Sequence, residues 1–222
     1  MIFDFDGVVA DSEMLHYRAF NAAFEPFSVH IDEQTYYDRY LGYSDVDGIE
    51  AIAADCKLEL SDTARSELLA SKERQFEMIA ANDTFIIDGV SEFISMLKAD
   101  GVRIAVCSGA LRSEILMMLG KSDFADAFET IVSADDVAKG KPDPQPYLLT
   151  LERLNGREPI TAGQCIVIED SFWGLISAKA AGMHPVAVTN TYPEDKLAAD
   201  AEKVVKSLSE LRIEDLRQIC SE

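Results

Sequence analysis

The 222-residue chain carries 20 lysine and arginine residues against 40 aspartate and glutamate residues, a formal charge of −20, and is 48% hydrophobic. That balance argues against a nucleic-acid binder, which needs clustered cations to neutralise phosphates, and no apolar run reaches the roughly 18 residues of a membrane span. In so acidic a chain an anionic small substrate would need a local positive centre, either a metal or a placed lysine.

The first element is MIFDFDGVVADSE, where Met1, Ile2, Phe3 and Phe5 surround Asp4 and read as a buried strand. Burying an ionised carboxylate is costly unless it is paired or holds a metal, so the acids suggest chemistry. Asp4 and Asp6 are two apart and in an extended chain point to the same side, while Gly7 lets the backbone turn tightly. A calcium loop is excluded, because it would close with a glutamate where this chain has Leu15.

From Glu13 to about Thr84 only helical patterning follows, in Tyr17, Phe20 and Phe24 and again through TARSELLASKERQFEMIAA. A helical subdomain is therefore expected at residues 13–86, with hinges near 10–15 and 82–88, inserted into a core of residues 1–12 and 87–222. Beyond it RIAVCS, ETIVS, CIVIED and PVAVTN are short apolar runs rich in β-branched residues, each ending in polar residues. Helical stretches separate them, such as LRSEILMMLG, in which Leu111, Ile115 and Leu119 recur at spacing four before Gly120. The alternation predicts an α/β fold, a doubly wound Rossmann-like parallel sheet buried on both faces. In such sheets reactive groups gather at the carboxyl ends of the strands.

Three later strand ends carry candidate groups. Ser108, followed by Gly109 and a helix near Leu111, is a seat for a phosphate oxygen, though serine before a helix also serves as a cap. Lys141, between Gly140 and Pro142, would balance phosphate charge, with Lys139 as local competitor. Glu169 and Asp170 directly follow CIVI, a pairing that favours a hard cation such as Mg²⁺ held through oxygens. Either acid would also complement a helix dipole, and Ser171 can cap the helix running to Gly182.

DFDGVVADSE, CSGA, KGKPDP and IEDSFWGLISAKAAGM resemble, in order, the four motifs of the haloacid dehalogenase-like superfamily. Within it they are similar to the subgroup holding β-phosphoglucomutase and phosphoglycolate phosphatase, and the helical block falls where that subgroup carries its cap. The resemblance implies that Asp4 is the nucleophile and Asp6 the general acid/base, with the backbone carbonyl of Asp6 a metal ligand. It implies that Ser108, Gly109 and Lys141 hold phosphoryl oxygens. Asp4, Asp6, Glu169 and Asp170 would surround Mg²⁺, with Glu169 binding directly or through water. Members that remove halide lack an acid at the position of Asp6, since halide departs without a proton.

The function so implied is Mg²⁺-dependent hydrolysis of a small phosphomonoester through an aspartyl-phosphate. The alternative is a β-phosphoglucomutase-like sugar phosphomutase. A receiver-like phospho-acceptor module is disfavoured by the helical insertion. Where the mutase has a Gly-Val-Ser-Arg loop, this chain reads Gly42, Tyr43, Ser44, Asp45, and a second cap position expected to be lysine aligns with Glu77. Two cation-to-acid exchanges would repel a second phosphate. His16 matches the mutase pattern but is shared by other cap-bearing relatives. Lys57 and Lys72, the nearest candidates for the Schiff-base lysine of members that cleave carbon–phosphorus bonds, sit in no recognisable motif. The partner expected is a small phosphorylated metabolite, with neither nucleic acid nor membrane, and the protein a monomer or weak dimer. The four cysteines form no CxxC pair and no secretory leader is evident, so a cytoplasmic setting is expected.

Overall fold

A computed structural model describes residues 1–41, 43, 45–82, 85–156 and 159–221. The chain divides into two compact units, one of Met1–Asp11 with Ile86–Glu222 and the other of Ser12–Phe85. Gly42, Ser44 and two residues of the expected second hinge, Asp83 and Thr84, lie outside the described residues. No helix among the described residues is long and apolar enough to cross a membrane.

The first unit holds a six-stranded sheet. Its strands are β1 (Ile2–Phe3), β2 (Ala105–Cys107), β3 (Thr130–Val132), β4 (Ile166–Glu169), β5 (His184–Val188) and β6 (Lys203–Val205), ordered β3-β2-β1-β4-β5-β6. Every pairing is parallel, with Phe3 opposite Val106 on one side and Ile168 on the other. The order reverses beside β1, so the acids at its end stand at the point where ligands bind in open sheets of this kind.

Each parallel crossover needs a connecting segment, and here helices α5 (Val90–Ala99), α6 (Arg112–Leu119), α7 (Gln145–Leu154), α8 (Phe172–Ala180) and α9 (Glu194–Leu197) supply them, before a last helix α10 (Ile213–Ile219). Alternation along the strands divides the core between two faces. Ile2, Ala105, Cys107, Val132 and Val167 pack with Tyr147 and Leu154 of α7 and Ala178 of α8. On the other face Phe3 meets the rings of Phe93 of α5 and Phe128 edge-on, at 5.9 and 6.2 Å. α5 shows why these segments are helical: its buried residues Val90, Phe93, Ile94 and Leu97 recur at three and four. The expected fold class is the one observed, but β6 was not anticipated. It is three residues long, begins with a lysine and buries only Val205, too little pattern to read.

Among its described residues the regular elements of the second unit are all helices, α1 (Ser12–Phe24), α2 (Glu33–Arg39), α3 (Asp45–Asp55) and α4 (Asp62–Asn82), with a short 3₁₀ turn over Glu25–Phe27. Its own core gathers Phe20, Phe24, Tyr36, Tyr40, Ile49, Ile52 and Leu68. α2 starts where Asp32 accepts the N–H of Thr35 at 2.9 Å, a side-chain cap that satisfies an otherwise unpaired amide.

Candidate active site

Asp4 follows β1 directly, and its N–H still donates to the Ile168 carbonyl at 2.9 Å, so sheet pairing fixes its backbone while its side chain is buried. The chain then curls tightly. The N–H groups of Val8, Val9 and Ala10 all donate to the Phe5 carbonyl, at 3.3, 2.8 and 3.0 Å, and Gly7 takes a φ of +70°. A Cβ at Gly7 would overlap Asp170 Oδ2 and approach Thr191 Oγ1 to 2.8 Å. Both the turn and the close approach of Asp170 therefore require glycine.

Lys141 reaches Asp4 from the loop after β3. Its Nζ donates to Asp4 Oδ1 at 2.7 Å, to Glu169 Oε1 at 2.6 Å and to the Cys107 carbonyl at 3.0 Å. Burial works against the ammonium, but the carboxylates of Asp4 and Glu169 outweigh it and hold its pKa well above the ordinary value. The competing Lys139 is exposed, 3.5 Å from Asp143.

Glu169 ends β4 with no solvent exposure, and both of its oxygens accept hydrogen bonds. Oε1 accepts from Lys141 and from the Tyr147 hydroxyl at 2.7 Å. Oε2 accepts from the Ser171 hydroxyl at 3.0 Å and from the N–H groups of Asp170 and Ser171 at 3.2 Å each. Gly174 of α8 leaves the space for this carboxylate, since a Cβ there would overlap it. Glu169 thus complements the start of α8 and anchors Lys141 at once, while Ser171 Oγ caps the helix by accepting the N–H of Gly174 at 3.2 Å.

Asp170 is buried and accepts a hydrogen bond from the Thr191 hydroxyl. Burial, and then the charge of Glu169, push its pKa up to about 7. The same two causes push Asp4 well above the usual carboxylate range against the pull of Lys141. One oxygen from each of Asp4, Glu169 and Asp170 lies within 4.8 Å of the others. Three buried carboxylates sharing one lysine retain excess negative charge, which a hard cation bound through these oxygens would relieve.

The half-buried Asp6 meets β2 through Ser108, whose hydroxyl donates to Asp6 Oδ2 at 3.1 Å and accepts the N–H of Ala110 at 2.9 Å. Ser108 is not the cap of α6. Leu111 holds that position, and the first amides of the helix are taken by Glu114 and Asp135. Gly109 is exposed, with open space where a Cβ would stand. The structure so brings Asp4, Lys141, Glu169 and Asp170 into one cluster, with Asp6, two residues after Asp4, hydrogen-bonded to Ser108.

In the helical unit a second polar cluster forms. Lys72 Nζ lies 2.7 Å from His16 Nδ1, forms an ion pair with Asp45, and stands 5.2 and 4.9 Å from the ring centroids of Phe20 and Phe76. Its side chain is 2% exposed. Burial opposes the charge of Asp45, yet hydrogen bonding from His16 and Lys72 brings its pKa below the ordinary value. Glu77, the second position considered in the helical block, is exposed. Lys72, four residues before Phe76 and so on the same helical face, is the lysine grouped with His16. Asp45 is the acid that pairs with that lysine.

Sequence reasoning missed Tyr147, Asn190 and Thr191. Tyr147 was readable as the tyrosine ending KPDPQPY on the buried face of α7. Asn190 and Thr191 were readable as polar residues at the carboxyl end of a fifth strand, PVAVTNT, the place where the other site residues were sought.

The model of the haloacid dehalogenase-like hydrolases matches residues 1–188. A phosphorylated carbohydrates phosphatase of Thermotoga maritima is 30% identical over 190 residues, covering 84% of this chain and 82% of that protein. The β-phosphoglucomutase of Bacillus subtilis is 28% identical over 222 residues, covering 98% and 93%. Among solved structures, a hydrolase of the same family from Deinococcus radiodurans, crystallised with phosphate and sodium, superposes with a TM-score of 0.81 at 26% identity, covering 98% of this chain and 94% of that one.

Proposed function

The chain belongs to the haloacid dehalogenase-like hydrolases, and on that premise we propose that it is a Mg²⁺-dependent phosphatase of small phosphorylated metabolites, working through an aspartyl-phosphate on Asp4. One observation carries the reading: a buried carboxylate, Asp4, is bound to Lys141 at 2.7 Å beside two further buried acids. A lone carboxylate repels a phosphate dianion, so a nucleophile of this kind works only where positive charge meets the equatorial oxygens. Lys141 brings that charge, and Asp4, Glu169 and Asp170 are the residues that would hold Mg²⁺, which supplies the remainder when bound.

In the first half-reaction an oxygen of Asp4 forms a bond to phosphorus as the bond to the leaving oxygen breaks, and protonated Asp6 gives that oxygen its proton. In the second, water attacks phosphorus, Asp6 takes a proton from the water, and the bond to Asp4 breaks to release inorganic phosphate. Ser108, hydrogen-bonded to Asp6 at 3.1 Å, is in reach of both the acid and a phosphoryl oxygen beside it. Fixing these groups in advance is most of what phosphoryl transfer asks of a protein.

The second reading, a sugar phosphomutase, has the likeness to β-phosphoglucomutase in its favour. A mutase must hold a bisphosphate, which calls for a cation available to a second phosphate. In the helical unit Lys72 is ion-paired with Asp45, so the phosphatase is preferred. The four cysteines are free thiols, which supports a reducing compartment, the cytoplasm.

The test is release of inorganic phosphate from a panel of sugar phosphates, phosphoglycolate and nucleotides, with and without Mg²⁺. Turnover of one substrate class that needs Mg²⁺ and is abolished in Asp4→Asn is expected. Silence across the panel together with interconversion of β-glucose 1-phosphate and glucose 6-phosphate would establish the mutase instead.

A further inference from the structure

The segment after β5 makes two hydrogen bonds into the acid cluster that the mechanism above does not use. Asn190 Nδ2 donates to the Gly7 carbonyl at 2.7 Å, and the Thr191 hydroxyl donates to Asp170 Oδ2. The segment is itself held at both ends. Thr189 N–H donates to the Val205 carbonyl at 3.0 Å, and the Tyr192 ring packs on Phe172 at 5.4 Å, at the start of α8. Gly7, Asp170 and Thr191 also stand in direct contact, since a Cβ on Gly7 would strike both of the others.

From this arrangement we propose that Asn190 and Thr191 are positioning residues that set which cation the acid cluster accepts. The Thr191 hydroxyl bound to Oδ2 of Asp170 would disfavour a cation that needs both oxygens of this carboxylate. Asn190 keeps the Asp6–Gly7 turn from retreating. Single-oxygen carboxylates suit Mg²⁺, which demands near-octahedral geometry and dehydrates reluctantly, whereas Ca²⁺ takes six to eight oxygens and favours carboxylates that bind through both. A threonine hydroxyl on one oxygen therefore discriminates against the larger ion. This inference rests on the reading of Asp4, Glu169 and Asp170 as a cation site.

Calorimetric titration of the intact protein with Mg²⁺ and separately with Ca²⁺ tests it, with wild type, Thr191→Val, Thr191→Ser and Asn190→Ala compared and thermal melts run alongside. Loss of an outer hydrogen bond to a metal ligand costs about tenfold or more in metal affinity. Thr191→Val should weaken Mg²⁺ by that factor while Ca²⁺ weakens less or tightens, Thr191→Ser should restore the wild-type preference, and Asn190→Ala should weaken both ions. Mg²⁺ and Ca²⁺ affinities of Thr191→Val within twofold of a metal-binding wild type would overturn the inference and leave the cation site standing. A wild type that binds neither ion would overturn the cation site and this inference with it. Should Thr191→Val fold poorly, Thr191→Ala carries the same expectation.

Discussion

Replacing Gly7 with alanine separates two costs that the structure keeps distinct. At a φ of +70° an alanine pays the left-handed strain, roughly 1–2 kcal/mol. Its Cβ would also overlap Asp170 Oδ2 and lie 2.8 Å from Thr191 Oγ1, and forcing a methyl into a packed site adds about 1–3 kcal/mol. Gly101 supplies the control, because its φ is +73° and a Cβ there would meet nothing within 4 Å. Gly101→Ala should therefore lose only the backbone share, about 1–2 kcal/mol. Gly7→Ala should lose about 2–5 kcal/mol, which for a chain of this length lowers the melting temperature by about 5–15 °C. Only Gly7→Ala displaces Asp170, so it alone should lose phosphate release, and its Mg²⁺ dependence should shift to higher concentration. Scanning calorimetry and steady-state kinetics on the two variants decide the matter. Equal destabilisation of both with activity retained would refute the claim that the turn is fitted to Asp170.

Tyr147→Phe removes one donor to a fully buried carboxylate while Lys141 remains, and should cost about 1.5–3 kcal/mol in urea denaturation; an unchanged midpoint would mean that the hydroxyl is not engaged with Glu169. Hydrogen bonding from Arg153, and then from Ser133 and Arg112, holds Asp136 well below the usual carboxylate range. With the folded pKa depressed, its contribution to stability is complete above the unfolded value near 4 and is lost as pH falls below it. Asp136→Asn should accordingly flatten the acid limb of a stability-against-pH profile, and a profile parallel to wild type below about pH 4 would contradict the assignment. The pair of buried Lys72 and half-buried Asp45 in the helical unit should respond asymmetrically. Asp45→Ala takes one carboxylate away from the buried ammonium of Lys72 and should cost about 3 kcal/mol, whereas Lys72→Met replaces the charge with an apolar chain and should change stability by no more than about 1 kcal/mol. Equal losses, read from denaturation midpoints, would show that Lys72 keeps its charge balanced by other means.

The two-sided parallel sheet was legible because β1, β2 and β4 are continuous apolar runs with polar ends, a pattern that only burial on both faces explains. The strand-end acids stood out for a related reason: Asp4 inside an apolar run, and Glu169 and Asp170 directly after one, contradict their surroundings unless they are paired or hold a metal. What could not be read is pairing across sequence. Nothing local to Lys72 indicates that His16, 56 residues away, and Asp45 are its neighbours. Thr191 and Tyr147 escaped notice because a hydroxyl carries no charge and its partner is set by the fold, 21 and 22 residues distant. β6 escaped because a short edge strand buries too little to impose a pattern.

The central claim is a covalent bond between phosphorus and Asp4. The direct measurement is to quench the enzyme during turnover of its substrate, reduce it with borohydride, which converts an aspartyl-phosphate to homoserine, and sequence the N-terminal peptide by mass spectrometry. Homoserine at position 4 in wild type, and none in Asp4→Asn, is the predicted result. Phosphate release with no homoserine at position 4, or with Asp4→Asn as active as wild type, would contradict the account.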